Sequence, residues 1–131
     1  VNPLLALVVV VAGGVAAVVR YSVSVFVASR ATESALRRFP WAVLAVNAVG
    51  SALAGCAAGF AATTALSDDV RLVLITGVAG GLTTFSTFSV ETVDLVRSGR
   101  WRTAAASCLL NLALGLALAA AGYALGVLLS S

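Results

Sequence analysis

Four long apolar stretches, joined by connectors too short to hold anything else, leave this chain little choice of fold. They run from about Leu4 to Val27, Trp41 to Leu66, Val70 to Val96 and Ala104 to Leu129. Each exceeds the roughly 20 residues that a helix needs to cross a bilayer. Hydrocarbon offers no partner to a backbone N–H or C=O, so each stretch is expected to be a transmembrane α-helix that satisfies its own backbone. The expectation is an all-α membrane protein with one four-helix domain over residues 1–131. Composition agrees: 61% of residues are hydrophobic and 10% charged, where soluble domains average about 25% charged. The sequence opens at Val1, and the first span lacks the basic segment that leads a signal peptide, so it is read as a membrane helix.

Several chemistries fall away at once. All eight basic residues are arginine and there is no histidine, which removes histidine metal ligands, proton relays and His-based triads. Cys56 and Cys108 lie in apolar segments without a Cys-x-x-Cys spacing and read as small packing residues. No nucleophile–base pair can be built, so the chain is not expected to be an enzyme. The net charge of +3 sits on arginines that flank the spans, where they set topology.

The third span departs from a plain anchor. Between Gly80 and Ser89 it reads GGLTTFSTFS, and Thr83, Thr84, Ser86, Thr87, Ser89 and Glu91 make much of it polar. Lipid cannot serve those groups, so this segment must face protein, water or an ion. Gly77, Gly80 and Gly81 are expected to weaken the helix just before it. A break there would expose carbonyl oxygens, which are hard ligands suited to a cation such as Na⁺. Phe85 and Phe88 are three residues apart and share a helical face. They are either core packing or two ring edges, carrying positive charge density, turned toward a small anion.

Two ladders of small residues suit close helix packing: Asn47, Ser51, Gly55 and Gly59 in the second span, and Ser107, Asn111, Gly115 and Ala119 in the fourth. Each contains an asparagine, which serves either as an interhelical hydrogen bond or as an anion donor. Arg20, inside the first span, is costly unless it snorkels or pairs. Glu91 and Asp94 are its candidate partners, and a structural role is expected for it.

These residues carry a resemblance. The chain resembles the Fluc (CrcB-type) fluoride channels over essentially its whole length, through GGLTTFSTFS with Glu91, GGVAAVVRY at Gly13–Tyr21 and NAVGS at Asn47–Ser51. The resemblance implies a passive fluoride channel of the cell membrane, an antiparallel dimer of four-helix subunits with two pores. It implies that Asn47 donates to fluoride, that Phe85 and Phe88 form a phenylalanine box, and that Thr87 and Glu91 lie on a polar route to the cytoplasmic vestibule. It further implies that Gly80 and Thr83 lend backbone carbonyls to a structural Na⁺ at the dimer centre, and that Arg20 closes the first-span motif. In the fourth span the family often has Tyr, Ser, and Gly or Ser at four-residue intervals. Here Ser107, Asn111 and Gly115 stand at those pore positions, so the tyrosine is absent and asparagine replaces serine.

The alternative is a small multidrug-type, proton-coupled cation transporter. It needs a membrane carboxylate, yet the first two spans contain no acid and only Glu91 and Asp94 would serve. Arginine placement predicts orientation. Connectors 28–40 and 97–103 share one side and hold Arg30, Arg37, Arg38, Arg97, Arg100 and Arg102, against Arg71 opposite. Arginine-rich connectors are cytoplasmic. A chain that inserts both ways should show no such bias, so one fixed orientation is expected. That favours a homologous partner of opposite bias over a homodimer.

Overall fold

The computed structural model describes residues 2–30, 39–63 and 66–130. Arg37 and Arg38 of the first connector lie outside the described residues. Helix α1 spans Pro3–Arg30 and α2 spans Trp41–Ala62. The third span is composite: α3 at Asp68–Leu72, a π-helical stretch at Val73–Ala79, α4 at Gly80–Leu82, then α5 at Phe85–Arg97. Helix α6 runs from Trp101 to Ser130. Taken as spans these are 28, 22, 30 and 30 residues long, each apolar enough to cross a membrane. The fold is all-α, with the third membrane helix broken.

The ends follow local chemistry. Asn2 Oδ1 accepts from the Leu4 N–H at 2.9 Å and opens α1. Ser67 caps α3 by accepting from the Val70 N–H. The acidic pair after it lies in the first helical turn, where the helix dipole favours Asp68 and Asp69. Gly99 closes α5 in the left-handed region at φ 75°. The Arg100 N–H returns to the Leu95 carbonyl at 2.8 Å, as in glycine-terminated helices.

Packing is set by glycines at backbone contacts. Helix α2 lies along α6. A methyl group on Gly55 would run into the Ala119 carbonyl, one on Gly59 into the Tyr123 carbonyl, and one on Gly122 into the Ala52 carbonyl. Burying apolar side chains drives little between helices in lipid, so close backbone approach and dispersion hold this pair. The ladder in α2 therefore packs as its spacing predicted. In α6, the tightest approaches are at Gly122 and Gly126, on a row beside Gly115 and Ala119.

Gly77 and Gly81 serve the same purpose against α1. A Cβ on Gly81 would collide with the Gly13 carbonyl, and one on Gly77 would stand 3.1 Å from the Val9 carbonyl. The sequence-based reading made these glycines helix weakeners. Gly77 and Gly81 also form the contact surface for α1; the stretch holding Gly77 is π-helical, and the backbone stays helical through Gly80, at φ −64° and ψ −39°. The break comes later, at Thr83 (φ −75°, ψ 154°) and Thr84 (φ −146°, ψ 119°). Its causes are two threonines and a neighbouring helix.

Candidate functional site

Thr83 and Thr84 redirect the hydrogen bonds of the third span. The Thr83 N–H and hydroxyl both donate to the Ala79 carbonyl, at 3.0 and 2.9 Å. In a continuous helix the Thr84 N–H would donate to the Gly80 carbonyl. It donates instead to Asn47 Oδ1 on α2, at 2.8 Å. The Thr87 N–H, which would serve the Thr83 carbonyl, donates to the Thr84 hydroxyl at 3.1 Å and starts α5. An unserved backbone group in hydrocarbon costs several kcal/mol, roughly. The break is tolerable because Asn47 and the Thr84 hydroxyl supply the missing partners. The carbonyls of Gly80 and Thr83 lose their helical donors to these two diversions.

Asn47 extends the network to α6. Its Nδ2 donates to Asn111 Oδ1 at 3.0 Å and lies 3.4 Å from the Thr84 carbonyl. Asn111 Nδ2 donates to the Ser107 carbonyl at 2.9 Å. The two asparagines that the ladders singled out therefore meet, and together they tie the break to both neighbouring helices.

An open pocket of about 400 Å³ lies beside this network. Asn47 and Ser51 face it from α2, and Thr83, Thr84, Phe85 and Phe88 from the break. Helix α6 contributes Cys108, Asn111 and Leu112. The Phe85 and Phe88 rings stand 6.1 Å apart, tilted by 42°, within the range of a direct ring contact. Phe85 is 80% exposed, so it is not core packing within this chain.

Other expected residues lie outside the pocket lining. Thr87 sits one turn into α5 and its hydroxyl accepts from that of Thr84 at 3.0 Å. Ser107 is 0% exposed, with no partner for its hydroxyl. Glu91 Oε2 is buried and unpartnered, as is Arg20 Nε. The expected partnership of Arg20 with Glu91 or Asp94 does not form; Arg71 pairs with Asp68 at 4.0 Å. No group of three or more Cys, Asp or Glu gathers among the described residues.

Thr84 is the residue the sequence underrated. It was one hydroxyl among several, yet it accepts one backbone bond, donates another and caps α5. Its signal was a threonine, a preferred N-cap residue, placed in mid-span. Cys108 and Leu112 carried no signal, because their exposure to the pocket depends on how α6 is rotated.

A membrane helix that surrenders its own hydrogen bonds in mid-span, and has a neighbour's amide replace them beside an open polar pocket, belongs to a multi-pass transport protein and not to an anchor. The chain belongs to the family described as CrcB-like protein, Camphor Resistance (CrcB), whose sequence profile matches residues 7–123. It is 41% identical over 116 residues to the "Fluoride-specific ion channel FluC" of Renibacterium salmoninarum, covering 87% of this chain and 92% of that one. A protein of the same name from Clostridium perfringens is 37% identical over 127 residues, 96% of either chain. Another from Thermus thermophilus is 47% identical over 88 residues, 67% of this chain and 69% of that one. No such relative supports the multidrug-transporter alternative.

Proposed function

We infer that this chain is a subunit of a fluoride-specific channel, through which cytosolic fluoride leaves passively down its electrochemical gradient. The observation that carries the reading is the Asn47–Thr84 break, which leaves an amide and two phenylalanines around one pocket in a chain whose relatives are named fluoride-specific channels. An inside-negative potential favours anion exit by about 2.3 kcal/mol per charge per 100 mV. Asn47 donates to the ion, and the edges of Phe85 and Phe88 carry positive charge density toward it. Ser107 and Asn111 complete the α6 side, and Thr87 and Glu91 continue the polar route toward the cytoplasm. A narrow and largely apolar path excludes larger anions because they cannot shed water in it. A channel moves its ion without making or breaking bonds, so enzymatic activity is no part of this reading.

The assembly is an antiparallel dimer in the plasma membrane. Connectors 28–40 and 97–103 face the cytoplasm, and the partner is a homologous subunit inserted the other way. A structural Na⁺ sits at the dimer centre on carbonyls of Gly80 and Thr83. Those carbonyls fit the ion: they are hard oxygen donors whose own helical partners have been diverted to Asn47 and Thr84. When bound, the cation makes the local potential favourable to an anion. Arg20 has a structural role at the end of the first-span motif.

Liposomes carrying the purified protein, with its homologous partner where one exists, test the function. Fluoride efflux with no chloride efflux is expected. Proton-coupled efflux of a hydrophobic cation with no fluoride current would overturn the reading.

A further inference from the structure

The amides of Asn47 and Asn111 form a hydrogen-bond chain whose direction is set by its ends. At one end the Thr84 N–H is a backbone donor and demands an acceptor, so Asn47 must present Oδ1 to it. That places Asn47 Nδ2 toward Asn111, which must answer with Oδ1. Asn111 Nδ2 is then left facing the Ser107 carbonyl, an acceptor only. Turning either amide over would set donor against donor or acceptor against acceptor at one of the backbone ends. Each end therefore reports to the other through two side chains.

The consequence falls on Asn47. Its Nδ2 has two hydrogens. One is held by Asn111 Oδ1 at 3.0 Å. The other points toward the Thr84 carbonyl at 3.4 Å, the weak end of the hydrogen-bond range. Asn47 lines the pocket, and this second hydrogen has the poorer partner, so it is the one that an entering anion would take. Without Asn111, the Asn47 amide keeps only its two contacts with Thr84, the N–H bond at 2.8 Å and the weak one to the carbonyl at 3.4 Å, and both lie on one residue, so its Nδ2 loses its tie to α6.

We propose that Asn111 is a positioning residue: it holds the Asn47 amide so that the second Nδ2 hydrogen faces the pocket. The role rests on the fluoride-channel reading. It acts through Asn47 and not on the ion directly. A serine oxygen in its place would stand one bond nearer its own backbone than Asn111 Oδ1, which reaches Asn47 at 3.0 Å, and would not span that gap.

Two measurements test it. The chain has three asparagines, Asn2, Asn47 and Asn111, so protein labelled with ¹⁵N-asparagine shows three side-chain amide pairs. Asn111→Ala is expected to delete one pair and shift another, which Asn47→Ala identifies as that of Asn47. An Asn47 pair that does not move overturns the proposal. Where the alanine variant does not assemble, Asn111→Ser gives the same comparison. In fluoride efflux, Asn111→Ala is expected to lower the rate about tenfold, the weight of one oriented hydrogen bond. Adding it to Asn47→Ala should lower the rate no further. Multiplying losses in the double variant would mean that Asn111 touches the ion itself and would overturn the positioning role. If the unaltered protein passes no fluoride, the channel reading fails, while the resonance comparison still decides whether Asn111 sets the Asn47 amide.

Discussion

Asn47 and Thr84 hold each other across the break in the third span: the Thr84 N–H donates to Asn47 Oδ1 at 2.8 Å, and Asn47 Nδ2 faces the Thr84 carbonyl at 3.4 Å. One side chain thus replaces a helical hydrogen bond and lines the pocket at the same time. On the proposed channel reading structure and transport are coupled through this residue, and its replacement should register in both.

Asn47→Ala leaves the buried Thr84 N–H without an acceptor. The loss should destabilise the folded subunit by about 1–3 kcal/mol and cut fluoride flux. Thermal unfolding in detergent and liposome efflux check the two effects. Unchanged stability would mean that the break does not lean on α2.

Phe88→Ile keeps apolar bulk and removes the ring. The dimer should assemble as before by size-exclusion chromatography, while fluoride efflux falls. Efflux at the original rate would return Phe85 and Phe88 to simple packing between subunits.

The glycines sort by what their added methyl group would meet. Gly55→Ala and Gly122→Ala drive a Cβ into the Ala119 and Ala52 carbonyls, and should cost about 1–3 kcal/mol as overpacked sites do. Gly115→Ala meets only the Ser51 hydroxyl at 3.4 Å, a side chain that can turn aside, and should stay within about 0.5 kcal/mol of the original. Unfolding midpoints of the three variants give the order. Equal effects at all three would mean that α2 and α6 do not meet along this row.

A crystal structure of the dimer should show one Na⁺ on the Gly80 and Thr83 carbonyls of both subunits, and ²²Na⁺ should not cross liposomes that pass fluoride. An empty position between unbroken third helices would remove the cation from the account. Sodium flux would make it cargo instead of structure.

Single cysteines at Ser34 and Ser131, placed in a background free of Cys56 and Cys108, report orientation in cells. Membrane-impermeant reagent added outside should label position 131 and spare position 34. Equal labelling of both would mean that the chain inserts both ways and pairs with itself.

The four spans were legible in the sequence because a bilayer leaves the backbone no option but helices. That constraint acts on each stretch alone. The polar run from Thr83 to Glu91 was legible as a breach of the same constraint, and so were Asn47 and Asn111 as polar members of small-residue ladders. Where the helix would break was another matter. The glycines marked the approach to the break and not the break itself, and Gly77 and Gly81 also answer to the backbone of α1. The actual break at Thr83 and Thr84 exists because an amide 37 positions earlier in the chain stands ready to take the Thr84 N–H. Local sequence carries propensities and hydropathy. It does not carry the rotation of α2 and α6 that brings Asn47, Asn111 and Cys108 to one pocket, or the geometry that keeps Arg20 from Glu91. Those were decided by close backbone packing between helices, which depends on contacts from both partners at once and so became visible only in the tertiary structure.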